Sequence, residues 1–147
     1  METVRHLLQS KGSSIWAVSP TDTVFDALKL MAEKDVGALL VMDGGKLAGI
    51  FSERDYARKV ILRDRSSRQT QVREIMTAQV VCVHPDQTVE ACMALMTNRH
   101  IRHLPVVDDA ENVLGVISIG DVVKAVISDQ ASLISHLHNY IVGDRGD

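Results

Sequence analysis

The sequence predicts an α/β protein made of two copies of one small strand–helix–strand–strand–helix (βαββα) unit. Three observations predict it. The chain repeats itself once, and both copies show the same order of helical and extended patterning. Its length of 147 residues also allows one domain or two very small ones.

The repeat is read at an offset of 65, where residues 18–43 lie against residues 83–108. The pairs Val18/Val83, Pro20/Pro85, Thr23/Thr88, Val24/Val89, Leu30/Leu95, Met31/Met96, Leu39/Leu104, Val41/Val106 and Asp43/Asp108 are identical. One extra residue in the second copy's turn moves the offset to 66. Gly49/Gly115, Ser52/Ser118, Asp55/Asp121, Val60/Val126 and Ile61/Ile127 then match as well. Fourteen identities over 43 aligned positions keep proline, glycine, serine and aspartate all in phase. A period near 65 is too long for a solenoid and fits a duplicated domain.

Each element follows from local pattern. Val24, Ala27, Leu28 and Met31, and again Val89, Cys92, Met93 and Met96, have the i, i+3, i+4, i+7 spacing of an amphipathic helix. Thr23 and Thr88 are placed to cap those helices. Apolar runs at 38–42 and 103–107 end in turn chemistry, Asp43-Gly44-Gly45 and residues 108–112, and return as strands at 47–51 and 113–117. Ser52 and Ser118 each open a further helix. The polar stretch RDRSSRQTQ, 63–71, reads as a linker, its Arg63, Arg65 and Arg68 as a solvated charge run. The domains are therefore expected at 10–62 and 72–128, with 129–147 an extension of the last helix and a tail. A single copy buries only a marginal core, so the copies are expected to pack on each other. The last helix is expected from about 119 to 142. Its stripe of Val122, Val123, Val126, Ile127, Leu133, Ile134 and Leu137 runs past the repeated unit, which favours a homodimer contact over cover for its own domain.

Composition narrows the function. Trp16, Phe25, Phe51, Tyr56 and Tyr140 are the only aromatic residues, so the core is aliphatic. Sixteen basic against nineteen acidic residues give a net charge of −3, which disfavours nucleic-acid binding. The longest apolar runs fall far short of a membrane span, and the first dozen residues have no signal-peptide stretch. Two cysteines suit a reducing compartment, and the expectation is cytoplasmic.

The chemistry concentrates in GIFSERD (49–55) and its twin GVISIGD (115–121). Serine followed three residues later by an acid at a strand-to-helix junction has a structural explanation, the reciprocal capping box. The same geometry suits a ligand. A helix N-terminus offers N–H groups to a phosphate, a carboxylate accepts from both hydroxyls of a ribose, and an earlier glycine lets the strand approach a flat ring. Both readings stand on these residues alone.

With these motifs the sequence resembles a tandem pair of cystathionine-β-synthase (CBS) domains, a Bateman module. The resemblance runs from SPTDTVFDALKLM and VHPDQTVEACMALM through VGALLVMDGGKLAGIFSERD and IRHLPVVDDAENVLGVISIGD, over about residues 4–142. It leaves no room for an attached enzyme and is similar to stand-alone two-CBS proteins of bacteria and plant organelles. It implies two βαββα repeats with pseudo-two-fold symmetry and adenine nucleotide in the cleft between them. Asp55 and Asp121 would hold ribose hydroxyls, with Ser52 and Ser118 near ribose or phosphate. Backbone at Ile50 and Val116 would meet adenine beside the first strands, Ala17–Val18 and Cys82–Val83. Arg102 and His103 would reach phosphate. The first copy has Gly37 and Ala38 at their places, and Arg54 stands where the second has Gly120, so unequal sites are expected. If the halves are related by an approximate two-fold and the strands cross between copies, Arg102 and His103 join Arg54 around Asp55. The Asp55 site is then expected to hold the more highly phosphorylated ligand, or the same nucleotide more tightly, with the Asp121 site weaker, empty or filled by a less charged adenine compound. If each strand serves its own copy, Arg102 and His103 belong with Asp121.

Other constellations carry less. His100 with His103 and His136 with His138 lack the three or four convergent ligands a metal needs. Cys82 and Cys92 read as buried small hydrophobes. No Ser–His–Asp set, Walker loop or GxGxxG motif points to turnover. The function expected is a non-catalytic, energy- or redox-sensing regulatory protein without catalytic cofactor. Its ligand would be AMP, with ADP, ATP or NAD possible, and its partner a regulated protein. A constitutive interaction scaffold with vestigial clefts is the alternative, and a nucleotide-consuming enzyme a third reading.

Overall fold

The computed structural model describes residues 2–146, with side chains through residue 139; Asp147, in the expected tail, lies outside the described residues. The elements are α1 (Val4–Lys11), β1 (Ala17–Val18), α2 (Val24–Lys34), β2 (Ala38–Asp43), β3 (Lys46–Ser52), α3 (Glu53–Lys59), 3-10 turns at Ile61–Arg63 and Val72–Glu74, α4 (Val89–Arg99), β4 (His103–Val107), β5 (Val113–Ser118) and α5 (Ile119–Gly146). They divide into two compact units. The first comprises residues 14–82 and 110–113, the second residues 1–13, 83–109 and 114–147.

In the first unit a three-stranded sheet runs β1-β2-β3, with β1 parallel and β3 antiparallel to β2. Asp43 pairs with Lys46 across Gly44 and Gly45, whose φ values of 58° and 82° are the left-handed conformations a two-residue hairpin loop requires. The core gathers Val18, Val24, Ala27, Met31, Leu39, Val41, Phe51, Val60, Val72 and Ile75. Thr23 caps α2 by accepting from the Asp26 N–H. The next two amides of that helix, Val24 and Phe25, donate to Thr70 and Ser67, each at 2.9 Å.

Residues 63–71 keep Arg63, Arg65 and Arg68 at the surface, as a charge run would, but the segment is also tied to the first unit. Thr70 is buried, Arg65 pairs with Glu74 at 2.7 Å, and the Arg68 guanidinium lies 3.8 Å from the centroid of the Phe25 ring. Its polar residues meet the polar needs of a helix N-terminus and a neighbouring ring.

The second unit repeats the plan with one strand shortened. Leu40 donates its N–H to Trp16 O in the first unit, but the equivalent of Leu40 is Pro105, which has no N–H to give Val81. The expected strand at Cys82–Val83 accordingly shrinks to a parallel bridge of Val83 with Val106. β4 and β5 form a two-stranded sheet, and α5 packs against α4 and α1. Buried positions recur in register: Val83, Val89, Cys92, Met96, Leu104, Val106 and Ile117 stand where the first unit buries Val18, Val24, Ala27, Met31, Leu39, Val41 and Phe51. Cys92 replaces an alanine, as a small hydrophobe would. Both α2 and α4 end on a left-handed residue, Asp35 and His100, whose N–H returns to Met31 O or Met96 O. His100 is thus a helix-terminating residue.

The repeat also extends further than residues 18–61 and their twins. Val72 and Arg73 donate to Asp22 O and Pro20 O in the first unit; Val4 and Arg5 donate to Gln87 O and Pro85 O in the second. Val24 donates to Thr70 O as Val89 does to Glu2 O. Residues 2–8 are therefore the counterpart, at an offset of 68, of residues 70–76. Each unit is completed by a segment lying before the copy that the sequence repeat delineates for the other.

Candidate functional site

Both Ser-x-x-Asp motifs sit where a strand hands over to a helix. In the first unit the Ser52 Oγ accepts from the Asp55 N–H at 3.2 Å, and Asp55 Oδ2 accepts from the Ser52 N–H at 3.0 Å and from its hydroxyl at 3.1 Å. The capping box is complete. Asp55 Oδ1 faces Lys59 Nζ at 3.0 Å, one turn on, and accepts from the Thr77 hydroxyl at 3.2 Å. Asp55 is 7% exposed, and both of its oxygens are engaged.

Two backbone details tighten this closure. Ile50 exchanges both of its hydrogen bonds with Thr77, N–H to O at 3.0 Å and O from N–H at 2.9 Å. The first amide of α3, Glu53, donates to Gly37 O. The glycine before the motif also has a different occupant from the flat ring expected: a Cβ at Gly49 would stand 2.7 Å from Met76 Sδ and 2.8 Å from Thr77 O.

The second unit keeps the box but opens the carboxylate. Asp121 Oδ2 accepts from the Ser118 N–H at 2.8 Å, and the Ser118 Oγ accepts from the Asp121 N–H at 3.2 Å. Lys11, the last residue of α1, donates through Nζ to Asp121 Oδ2 and to Val116 O, both at 2.7 Å. The Asp121 side chain remains 25% exposed. Ile119 donates to Arg102 O at 2.8 Å, as Glu53 does to Gly37 O, and a Cβ at Gly115 would stand 2.8 Å from Leu8 Cδ2.

Electrostatics follow from this packing. Burial works to raise the Asp121 carboxyl, but hydrogen bonds from Lys11 and Ser118 and the Lys11 charge bring it below its ordinary value. Burial pushes the neighbouring His103 imidazole down; Asp121 opposes this, and the Lys11 and Arg102 charges add to it. His103, the first residue of β4, thus lies within electrostatic reach of Asp121, Lys11 and Arg102 of its own unit. Cys82 and Cys92 are free thiols raised by burial, Cys82 also by Glu111.

The remaining predicted residues are spread along the sheets. Ala17 pairs with Leu40, which pairs with Ile50, so these three share one line across the first sheet. Val18 and Val83 are core residues, and Arg54 and Arg102 are exposed. Sequence reasoning missed Lys59, Thr77 and Lys11. Lys59 was legible as an i, i+4 partner of Asp55. Thr77 and Lys11 arrive from distant segments that carry no signal beyond the Val-Arg pair shared by 4–5 and 72–73.

The CBS domain family matches residues 12–62 and 72–128. The chain belongs to the CBS-domain family. It is 42% identical to the mitochondrial CBS domain-containing protein CBSX3 of Arabidopsis thaliana, over 96% of this chain and 72% of that one. Against the CBS domain-containing protein YhcV of Bacillus subtilis the identity is 32%, over 82% and 84%. A CBS-domain protein of Burkholderia ambifaria MC40-6 superposes with TM-score 0.84 at 56% identity, covering 87% of this chain and 96% of that one. The CBS domain pair of protein MJ0100, solved with 5′-methylthioadenosine and S-adenosyl-L-methionine, superposes with TM-score 0.76 at 25% identity, over 88% and 98%. Among the described residues no helix is long and apolar enough to cross a membrane, and no cluster of His, Cys, Asp and Glu is arranged to hold a metal ion.

Within this CBS pair the two motifs differ in what they offer a ligand. A carboxylate accepts hydroxyl protons only through lone pairs not already occupied. Asp55 is buried under four donors, whereas Asp121 is more exposed and is reached by Ser118 and by one lysine.

Proposed function

We propose that this CBS pair is a non-catalytic sensor that binds an adenosine-containing ligand, AMP foremost and ADP, ATP or NAD as relatives, at its Ser-x-x-Asp motifs. The observation that carries the reading is the partly exposed carboxylate of Asp121, set by Ser118 at the β5–α5 junction beside Arg102 and His103. In this reading Asp121 accepts the ribose hydroxyls, Ser118 and the exposed start of α5 face the phosphate side, and the imidazole and guanidinium neutralise it. Asp55 and Ser52 form the weaker, more closed site, with Arg54 at its rim. Ala17, Val18, Ile50, Cys82, Val83 and Val116 supply the apolar and backbone surroundings. The adenosine compounds in the MJ0100 pair support the ligand class.

A sensor needs different affinity for two states of the protein, and a regulated partner reads the shift. The exposed face of α5, with Ile127, Leu133, Ile134 and Leu137 between 53% and 67% exposed, is assigned to a homodimer contact. The two free cysteines support a reducing compartment, read here as the cytoplasm.

Native mass spectrometry of freshly purified protein tests the reading. An adenosine-containing mass retained on a dimer supports it. An apo protein whose thermal midpoint ignores millimolar AMP, ADP, ATP and NAD favours the constitutive scaffold instead.

A further inference from the structure

Lys11 occupies the place where a ligand would be read. Its ammonium donates to Asp121 Oδ2, the proposed ribose acceptor, and to Val116 O, the proposed base-side carbonyl, each at 2.7 Å. Among the described residues of the first unit no lysine from a distant segment reaches the carboxylate. There the carboxylate is met by Lys59 of its own helix and by the Thr77 hydroxyl, and the strand carbonyl of Ile50 is bonded to the Thr77 backbone amide. Fixed elements close the Asp55 motif; a single long side chain closes the Asp121 motif.

The helix that delivers Lys11 is anchored at its other end. Val4 and Leu7 are buried, Val4 and Arg5 donate to Gln87 O and Pro85 O, and Leu8 lies against Gly115. In the last turn Lys11 is one-third exposed, and Gly12 after it ends the helix at φ 93°. The lysine can therefore swing off Asp121 by side-chain rotation while α1 stays docked.

Resting on the adenosine site proposed at Asp121, we infer that Lys11 is a displaceable internal competitor that makes this site select phosphorylated adenosine ligands over neutral nucleosides. Either kind of ligand must break the two Lys11 contacts to present ribose hydroxyls to Asp121. Only an anionic ligand offers the displaced ammonium a new partner, a phosphate oxygen near the Arg102 and His103 end of β4. A neutral nucleoside leaves it without one.

The test is calorimetric titration of AMP and of adenosine into the full chain, its Lys11→Met variant and its Lys11→Gln variant, each first shown to keep the wild-type unfolding midpoint within a few degrees. For a partly exposed pair, removing the competitor should tighten adenosine about five- to tenfold. AMP should tighten less or weaken, so the preference for AMP over adenosine collapses in both variants. In an Asp121→Ala background the Lys11 substitutions should no longer tighten adenosine, because the carboxylate Lys11 competes for is gone. Equal weakening of both ligands would make Lys11 an ordinary contact, and no change in either would make it a bystander; both results overturn the inference and leave the adenosine site standing. Absence of binding by both ligands to all three proteins overturns the proposed function and this inference together.

Discussion

Met76 covers Gly49 so closely that a Cβ there would stand 2.7 Å from its sulfur, and Leu8 covers Gly115 in the same way at 2.8 Å. The two glycines that open the Ser-x-x-Asp motifs thus make room for the segments that complete each unit. The neighbours differ in how they yield. Beyond Gly49 lies the backbone oxygen of Thr77 at 2.8 Å, whereas beyond Gly115 the contact is the end of a leucine side chain.

Gly49→Ala should therefore destabilise the fold by about 1–3 kcal/mol through overpacking against the Thr77 backbone, and Gly115→Ala by less than about 1 kcal/mol. Urea denaturation midpoints of the two variants check the order. Equal losses would show that Thr77 gives way as readily as Leu8.

The aspartates should separate stability from binding. Asp55→Ala removes the partner of Lys59 and Thr77 and half of a capping box, and should lower stability by about 1–3 kcal/mol. Asp121→Ala should lower it by less than about 1 kcal/mol, because the Lys11 pair is partly exposed, while weakening AMP roughly ten- to a hundredfold. Apo unfolding curves read beside AMP titrations of both variants check this; the reverse pattern would move the principal site to Asp55.

Much of this was readable from residues. The 65-residue offset set the order of elements and the two hairpins. The i, i+3, i+4 stripes marked α2 and α4, and threonine and serine marked the caps. What was hidden came from long range. Residues 2–8 and 70–76 share only Val-Arg, because backbone hydrogen bonds to residues 20–22 and 85–87 hold them and demand few particular side chains. Lys11 lies 110 residues from Asp121, and no local pattern joins them. Polar composition read as a linker at 63–71, yet those carbonyls complete the first turn of α2. The short strand at Val83 follows from Pro105, a residue whose missing donor was visible but whose partner was not.

Acid should weaken the second unit in two steps. His103 is held below its ordinary value of 6.5, so the unfolded chain takes up a proton first, and stability that is complete above pH 6.5 falls as pH drops below it. Asp121 is held below its ordinary 3.8, and its contribution, complete above that pH, is lost as pH falls further through its folded value. Thermal midpoints between pH 7.5 and 5 should decline in the wild type and decline less in His103→Gln. An unchanged slope in the variant would assign the loss to other groups.

Self-association should follow the outer face of α5. Ile134→Lys with Leu137→Lys should yield a folded monomer that still binds AMP, because both side chains are more than half exposed in the single chain. Sedimentation velocity at micromolar concentration reads the change from dimer to monomer. A wild-type monomer there would leave the stripe to another partner.

The central claim is that Asp121, set by Ser118 and guarded by Lys11, takes the ribose of an adenosine-containing ligand. Isothermal titration of AMP into the wild-type chain and into Asp121→Ala tests it most directly. The account predicts saturable heat in the wild type and at least a tenfold weaker high-affinity phase in the variant, with the unfolding midpoint nearly unmoved. Identical isotherms from the two proteins would contradict it.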